Sequence, residues 1–310
     1  MPAKWFTVVD NKYVIADVLS GKVTIDEYPL PYLVAAGKIR EWDGHLHVTD
    51  LYNGERETFL KYNTFYSIDP DKQAFAIAGT FKHNIMEDPT NPFHEKAILY
   101  RNIKGSLDLL NDKGNGVYWL DDYKNQGAFA VRKFKGWQKR PVQIMDDFGV
   151  PLFLKSGPNK GKPKTKLEWY LDPATADRSQ YEFQLNIYKK AVEESLDITV
   201  SKLNIFFMLR DGGLKATTDQ GLNKNTYYEE VKILDDDTIN RYIDSKSGTA
   251  QKIIDFQATE GEAQDERWES LKKLCPPLCS EKERWYDPAT KISKKCKDYC
   301  PVSELCGRIN

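Results

Sequence analysis

The chain has 310 residues, 40% hydrophobic and 29% charged, with a formal net charge of −1. That is an ordinary soluble, globular balance with enough length for a sizeable core. It argues against a protein that coats nucleic acid with its whole surface, while leaving room for a local basic groove. No Gly-x-x-x-x-Gly-Lys-Ser/Thr loop and no Gly-x-Gly-x-x-Gly fingerprint occurs, so nothing points to an ATP-driven helicase or a dinucleotide-dependent redox enzyme.

Residues 5–9 and 13–16 read as short strands of an N-terminal β element. Ala78-Gly79-Thr80-Phe81-Lys82-His83 reads as a turn opening a helix, with His83 in its first turn and Glu87 one turn beyond, within reach of the same site. The run 97–110 contains a strand with Asp108 near its end. A polar turn at 111–116 (Asn-Asp-Lys-Gly-Asn-Gly) leads to a second strand, 117–124, which together predict a hairpin. Side chains alternate along a strand, so Asp122 and Lys124 share one face while Asp121 and Tyr123 point to the other. Asp108 on the neighbouring strand then lies close to the Asp122 face. Two carboxylates and an amine at one place suit a hard divalent cation and a positioned water, the needs of phosphodiester hydrolysis.

Directly after this strand, residues 132–140 interleave cations and aromatics: Arg132, Lys133, Phe134, Lys135, Trp137, Lys139 and Arg140. Residues 155–166, with Lys162 and Lys164 among five lysines, read as a flexible basic loop. Cations there can meet phosphates, and Phe134 or Trp137 can stack on unpaired bases. Residues 178–195 are helical, which puts Gln184 and Tyr188, four apart, on one face. A strongly apolar strand at 198–210 is turned by Asp211-Gly212-Gly213 towards a partner near 228–234. Helical stretches follow at 236–256 and 263–274. All five cysteines, Cys275, Cys279, Cys296, Cys300 and Cys306, fall at the C-terminal end.

Gly79-Thr80-x-x-His83, Asp108, Asp122-x-Lys124 and Gln184-x-x-x-Tyr188, in that order, resemble the RecB-type nucleases of the PD-(D/E)xK superfamily over about residues 45–210. The resemblance implies an α/β core, a central mixed sheet flanked by helices. His83, Asp108, Asp122 and the Tyr123 carbonyl would bind Mg²⁺ or Mn²⁺. Lys124 would position the attacking water, and Gln184 and Tyr188 would hold DNA near the metal.

The N-terminus lacks the charged and apolar pattern of a signal peptide, and no segment approaches a membrane span, so a cytoplasmic location is expected and a disulfide framework is not. Clustered thiols there read as metal ligands. The block Cys296-x₃-Cys300-x₅-Cys306 looks like that of the iron–sulfur RecB-like exonucleases, AddB-like and CRISPR-associated. In those, one distant N-terminal cysteine joins three C-terminal ones around a [4Fe–4S] cluster. Here the first gap is three residues rather than two. Glycine stands near the expected N-terminal cysteine, within Val48-Thr49-Asp50-Leu51-Tyr52-Asn53-Gly54-Glu55-Arg56. The fourth ligand would be Cys279, with Cys275 as the alternative. Zinc on the matched pairs Cys275-x₃-Cys279 and Cys296-x₃-Cys300 is the rival reading.

The expected organisation is N-terminal strands and helical cover over 1–70, a nuclease core over 71–260 and a metal-stapled tail over 261–310. The expected activity is a DNA exonuclease acting on single strands or duplex ends in recombination, repair or phage DNA metabolism, alongside repair or recombination partner proteins. A structure-specific endonuclease and a DNA-binding subunit with an inactive site are the alternatives.

Overall fold

A computed structural model describes residues 3–86, 90–261 and 263–309. Trp5–Val8 (β1) and Asn11–Val14 (β2) form a hairpin, followed by the short helices Ile15–Leu19 (α1) and Leu30–Ala36 (α2). Leu46–His47 (β3) leads through a 3₁₀ turn, Val48–Tyr52, into Glu55–Asn63 (α3). Ser67–Ile68 (β4) then pairs parallel with β1, completing a small three-stranded sheet.

The next helix, Pro70–Met86 (α4), corrects one expectation: His83 lies in its last turn, not in the first turn of a helix opening near Ala78. The start is set by Pro70, whose fixed φ suits the first helical position, and by the Asp69 carboxylate accepting the Asp71 N–H at 3.0 Å. Gly79 costs about 1 kcal/mol relative to alanine in a helix interior, too little to stop a run of good helix formers.

His94–Tyr100 (β5), Ile103–Asp112 (β6) and Val117–Gln126 (β7) form two successive hairpins. Arg101 and Asn102, both left-handed (φ 45° and 67°), break the run 97–110 into two strands, the two-residue turn that matches strand twist. The 111–116 turn closes as expected, with Gly114, Asn115 and Gly116 all left-handed. Ala128–Lys135 (α5) leads into Trp137–Gln143 (β8) and Thr165–Leu171 (β9), an antiparallel ribbon.

That ribbon overturns the flexible-loop reading of 155–166. Backbone hydrogen bonds join Ile144 to Lys164, Leu152 to Ile144, Leu154 to Lys162 and Lys164 to Leu152, so the lysines stand on ordered backbone. Ser179–Leu196 (α6), Thr199–Leu209 (β10), the short Lys215–Thr218 (α7) and Thr226–Val231 (β11) follow. Asp236–Gln257 (α8) and Gln264–Leu274 (α9) precede the cysteine tail.

The result is an α/β architecture around a six-stranded mixed sheet ordered β11-β10-β7-β6-β3, with β5 beside β6. β7 and β10 run parallel, while β5, β6, β7 and the β10–β11 pair are antiparallel. Leu107, Leu110, Leu120, Leu203, Ile205 and Phe207 are fully buried in it. α6 packs against β5 and β10, and Leu185, Ile187, Ala191 and Val192 on more than one side of it are buried. α3 and α8 pack together, with Phe59 edge-on to Phe256. No helix among the described residues is long and apolar enough to cross a membrane.

Candidate active site

The site forms where the sheet splits. Residues 103–109 of β6 ladder with β5 along one edge, while Leu109 to Asp112 ladder with β7 along the other. β3 takes that second edge again at Ile103 and Lys104, so positions 105–108 have no β7 partner. Here the Tyr123 N–H donates to Asp108 Oδ2 at 2.5 Å instead of to a ladder carbonyl. The N–H and C=O of an extended residue point to the same side, so the Tyr123 carbonyl faces the same opening.

Four expected residues meet there. His83 Nδ1 lies 3.5 Å from Asp108 Oδ1. Hydrogen bonding to Asp108, then to Glu95, raises the imidazole to about 10 against the opposing effect of burial. α4 is tied to β7 by Lys82 Nζ donating to Asn125 Oδ1 at 2.8 Å. Asp122 is 1% exposed, its Oδ2 2.5 Å from Lys124 Nζ. Burial pushes its carboxyl up, opposed by Lys124, and it feels the charges of both Asp108 and His83. The alternation holds: on the other face Asp121 accepts from Asn204 (2.8 Å), the Tyr228 hydroxyl (2.6 Å) and Asn111, a closed structural network.

Gln184 and Tyr188 come to this site from behind. Gln184 Nε2 lies 3.1 Å from both Asp122 Oδ1 and the Tyr188 hydroxyl. Both residues are 4% exposed, so neither offers a surface to DNA; they brace Asp122 instead. Gly105 makes this approach possible, since a Cβ there would stand 2.8 Å from Tyr188 Cε1.

Sequence reasoning missed Glu95. It sits opposite Asp108 in the β5–β6 register, between the pairs His94↔Leu109 and Lys96↔Leu107, and its Oε1 is also 3.5 Å from His83 Nδ1. His83, Glu95 and Asp108 each offer a ligand atom within 4.8 Å of the others. The one available signal was the strand run itself: once a two-residue turn at Arg101–Asn102 is recognised, the preceding strand extends back to His94. Glu87 lies outside the described residues. Three carboxylates and one imidazole are a donor set a hard divalent ion accepts, with the nitrogen favouring Mn²⁺ over Mg²⁺.

Most of the expected DNA-contacting residues after β7 serve the fold. Phe134 is fully buried against Tyr181 and Phe207, which removes it as a base-stacking group. Trp137 is half-buried and packs on Gly221, where a Cβ would stand 2.4 Å from the indole. Lys133 pairs with Asp177 at 2.9 Å, Lys135 pairs with Glu229, and the Arg132 guanidinium lies over Trp169 at 4.7 Å. Lys162 and Lys164 are exposed on the ribbon with Lys155 and Lys160, and none of these four forms an ion pair among the described residues.

In the tail, Cys279, Cys296, Cys300 and Cys306 line one cavity; Cys275 is not among its lining residues. Cys279 Sγ accepts the Glu57 N–H at the start of α3, and Arg56 Nη1 reaches Cys306 Sγ at 3.8 Å. Lys295 pairs with Glu57 at 2.7 Å and donates to Asn53 at 3.0 Å, so tail and α3 are clasped together. Burial pushes the Cys300 thiol to about 12 and Cys275 to about 11. No three of the five sulfurs lie within 4.8 Å of one another.

No known family model and no curated protein matches this chain. Among solved structures, the crystal structure of SSO0001 is similar over 88% of this chain and 90% of its own, at 15% identity and a TM-score of 0.36.

Proposed function

We propose that this chain is a Mg²⁺- or Mn²⁺-dependent deoxyribonuclease of the RecB-like, PD-(D/E)xK kind, an exonuclease on single-stranded DNA or duplex ends in recombination, repair or phage DNA metabolism. The observation that carries this reading is the convergence of His83, Asp108 and the Asp122–Lys124 pair at the opening between β6 and β7. His83, Asp108, Asp122 and the Tyr123 carbonyl are the residues that would hold the ion. When bound, it neutralises charge at the phosphate and makes a water more acidic. Lys124 keeps an ammonium at the mouth of the site, where it donates to a water or a phosphoryl oxygen. Gln184 fixes the Asp122 carboxylate from the protein side, so its other oxygen keeps one orientation. The exposed lysines of the ribbon supply phosphate contacts.

End-labelled single-stranded DNA should be degraded by wild-type protein with Mn²⁺ and left intact by Asp108→Ala and Lys124→Ala. Circular single-stranded DNA should survive, because an exonuclease needs an end. Wild-type protein that leaves every DNA intact overturns the reading.

For the tail, the reading is a [4Fe–4S] cluster on Cys279, Cys296, Cys300 and Cys306, with Cys275 outside it. What supports it is the cavity that these four cysteines, and not Cys275, line together. Protein purified without oxygen should carry stoichiometric iron and sulfide with a broad visible absorption. A colourless preparation with stoichiometric zinc would reverse this.

A further inference from the structure

The acids of the site do not form one symmetrical set. Asp122 already has a cation beside it, Lys124 at 2.5 Å, and a donor from Gln184. Asp108 and Glu95 instead face each other across β5 and β6, with His83 Nδ1 3.5 Å from an oxygen of each. Like charges directly opposite on neighbouring strands repel, and no lysine or arginine among the described residues pairs with either one.

Charge counting follows. Asp122 and Lys124 cancel. Glu95 and Asp108 put two carboxylates beside the His83 ring, a donor set that a divalent ion can join. The second Glu95 oxygen accepts from Ser106 Oγ at 3.3 Å, which leaves Oε1 turned towards His83. Glu95 is held in the left-handed region (φ 47°), a conformation that L side chains rarely adopt and that is found at ligand clamps. Beside this group, buried Asp122 Oδ2 has the Lys124 ammonium close by but accepts no well-aligned hydrogen bond.

From this geometry we infer that Glu95 is a protein ligand of the catalytic cation, which is held between His83, Glu95 and Asp108, with the Asp122–Lys124 pair on its flank. The inference rests on the nuclease reading for the reaction, but not for the binding itself.

The test is Mn²⁺ titration of the full-length protein, followed by the loss of the free-ion electron paramagnetic resonance signal, with no DNA present. Glu95→Gln should weaken binding at least tenfold, while Ser106→Ala stays within a few fold of wild type. Glu95→His, which can ligate but carries no negative charge, should recover most of the affinity. Thermal unfolding without metal checks that each variant is folded. If Glu95→Gln binds Mn²⁺ like wild type while Asp108→Asn does not, Glu95 is no ligand and the nuclease reading stands. If the histidine variant loses as much as the glutamine variant, Glu95 acts only through its charge and the inference fails. Wild-type protein that takes up no Mn²⁺ overturns both.

Discussion

Cys279 places its sulfur where a side chain on Gly54 would begin: a Cβ built on Gly54 stands 2.1 Å from Cys279 Sγ. Gly54 is the residue before α3, and the sulfur accepts the Glu57 N–H that a capping side chain at position 54 would otherwise take. A tail residue thus fills a place that the helix's own sequence leaves vacant. Cys279→Ala should lose bound iron and the visible band, and the paired change Gly54→Cys with Cys279→Ala should regain part of both. Iron content and absorption of anaerobic protein report the outcome; equal loss in the single and paired variants would show that the two positions are not interchangeable.

Gly105 predicts a stability effect that reaches the site. Gly105→Ala puts a methyl 2.8 Å from Tyr188 Cε1, and the ring must shift. Overpacking of this kind costs about 1–3 kcal/mol, readable by denaturant unfolding. Because Tyr188 orients Gln184, and Gln184 holds Asp122, activity should fall in the folded variant too.

The Asp122–Lys124 pair predicts a non-additive cycle in metal-free protein. Lys124→Met leaves a carboxylate that is 1% exposed without its cation. Breaking a buried pair this way costs about 3–5 kcal/mol. Asp122→Asn in the same background should restore most of it while leaving the protein inactive. Additive losses in chemical denaturation would mean the two groups do not interact.

Asp177 predicts an acid-range dependence. Burial would raise its carboxyl, but hydrogen bonds from Lys133 and Ser179, with the charges of Lys133 and Lys282, hold it down at about 2. Its folded pKa lies below the ordinary 3.8, so the stability it contributes is present above that value and is lost as pH falls towards 2. Asp177→Asn should flatten this part of the stability profile between pH 4 and 2, followed by thermal unfolding. An unchanged slope would show that the Lys133 pairing is not maintained in solution.

The ribbon lysines predict a salt effect. Replacing Lys155, Lys160, Lys162 and Lys164 with serine should lower the dependence of single-stranded DNA affinity on salt, by about 0.7 in log–log slope for each phosphate that a lysine no longer neutralises. Measured without divalent metal, an unaltered slope would remove the ribbon from the DNA path.

The sequence carried much of the site because strand alternation is local. Asp122 and Lys124 on one face and Asp121 on the other follow from position alone, and the Gly-Asn-Gly turn sets the hairpin that brings Asp108 alongside. The helix bearing Gln184 differs from its expected bounds by one residue at each end. What was not legible depended on tertiary partners. Whether Phe134 faces solvent or Phe207, and whether Lys135 faces DNA or Glu229, is decided by segments over 70 residues away. Glu95 was hidden because the Arg101–Asn102 turn carries neither glycine nor proline, so the break in the strand gave no ordinary signal.

The parallel pairing of β7 with β10 carries a consequence for biosynthesis. Val117 to Gln126 find their partners only at Thr199 to Leu209, after the whole ribbon and α6 have been made. Non-local parallel contacts form slowly, so a nascent chain displays the strand bearing Asp122 and Lys124 with one edge unpaired until translation has passed Leu209. A ribosome-stalled chain that stops before that point should have no assembled cleft and should be the species most exposed to chaperones and proteases.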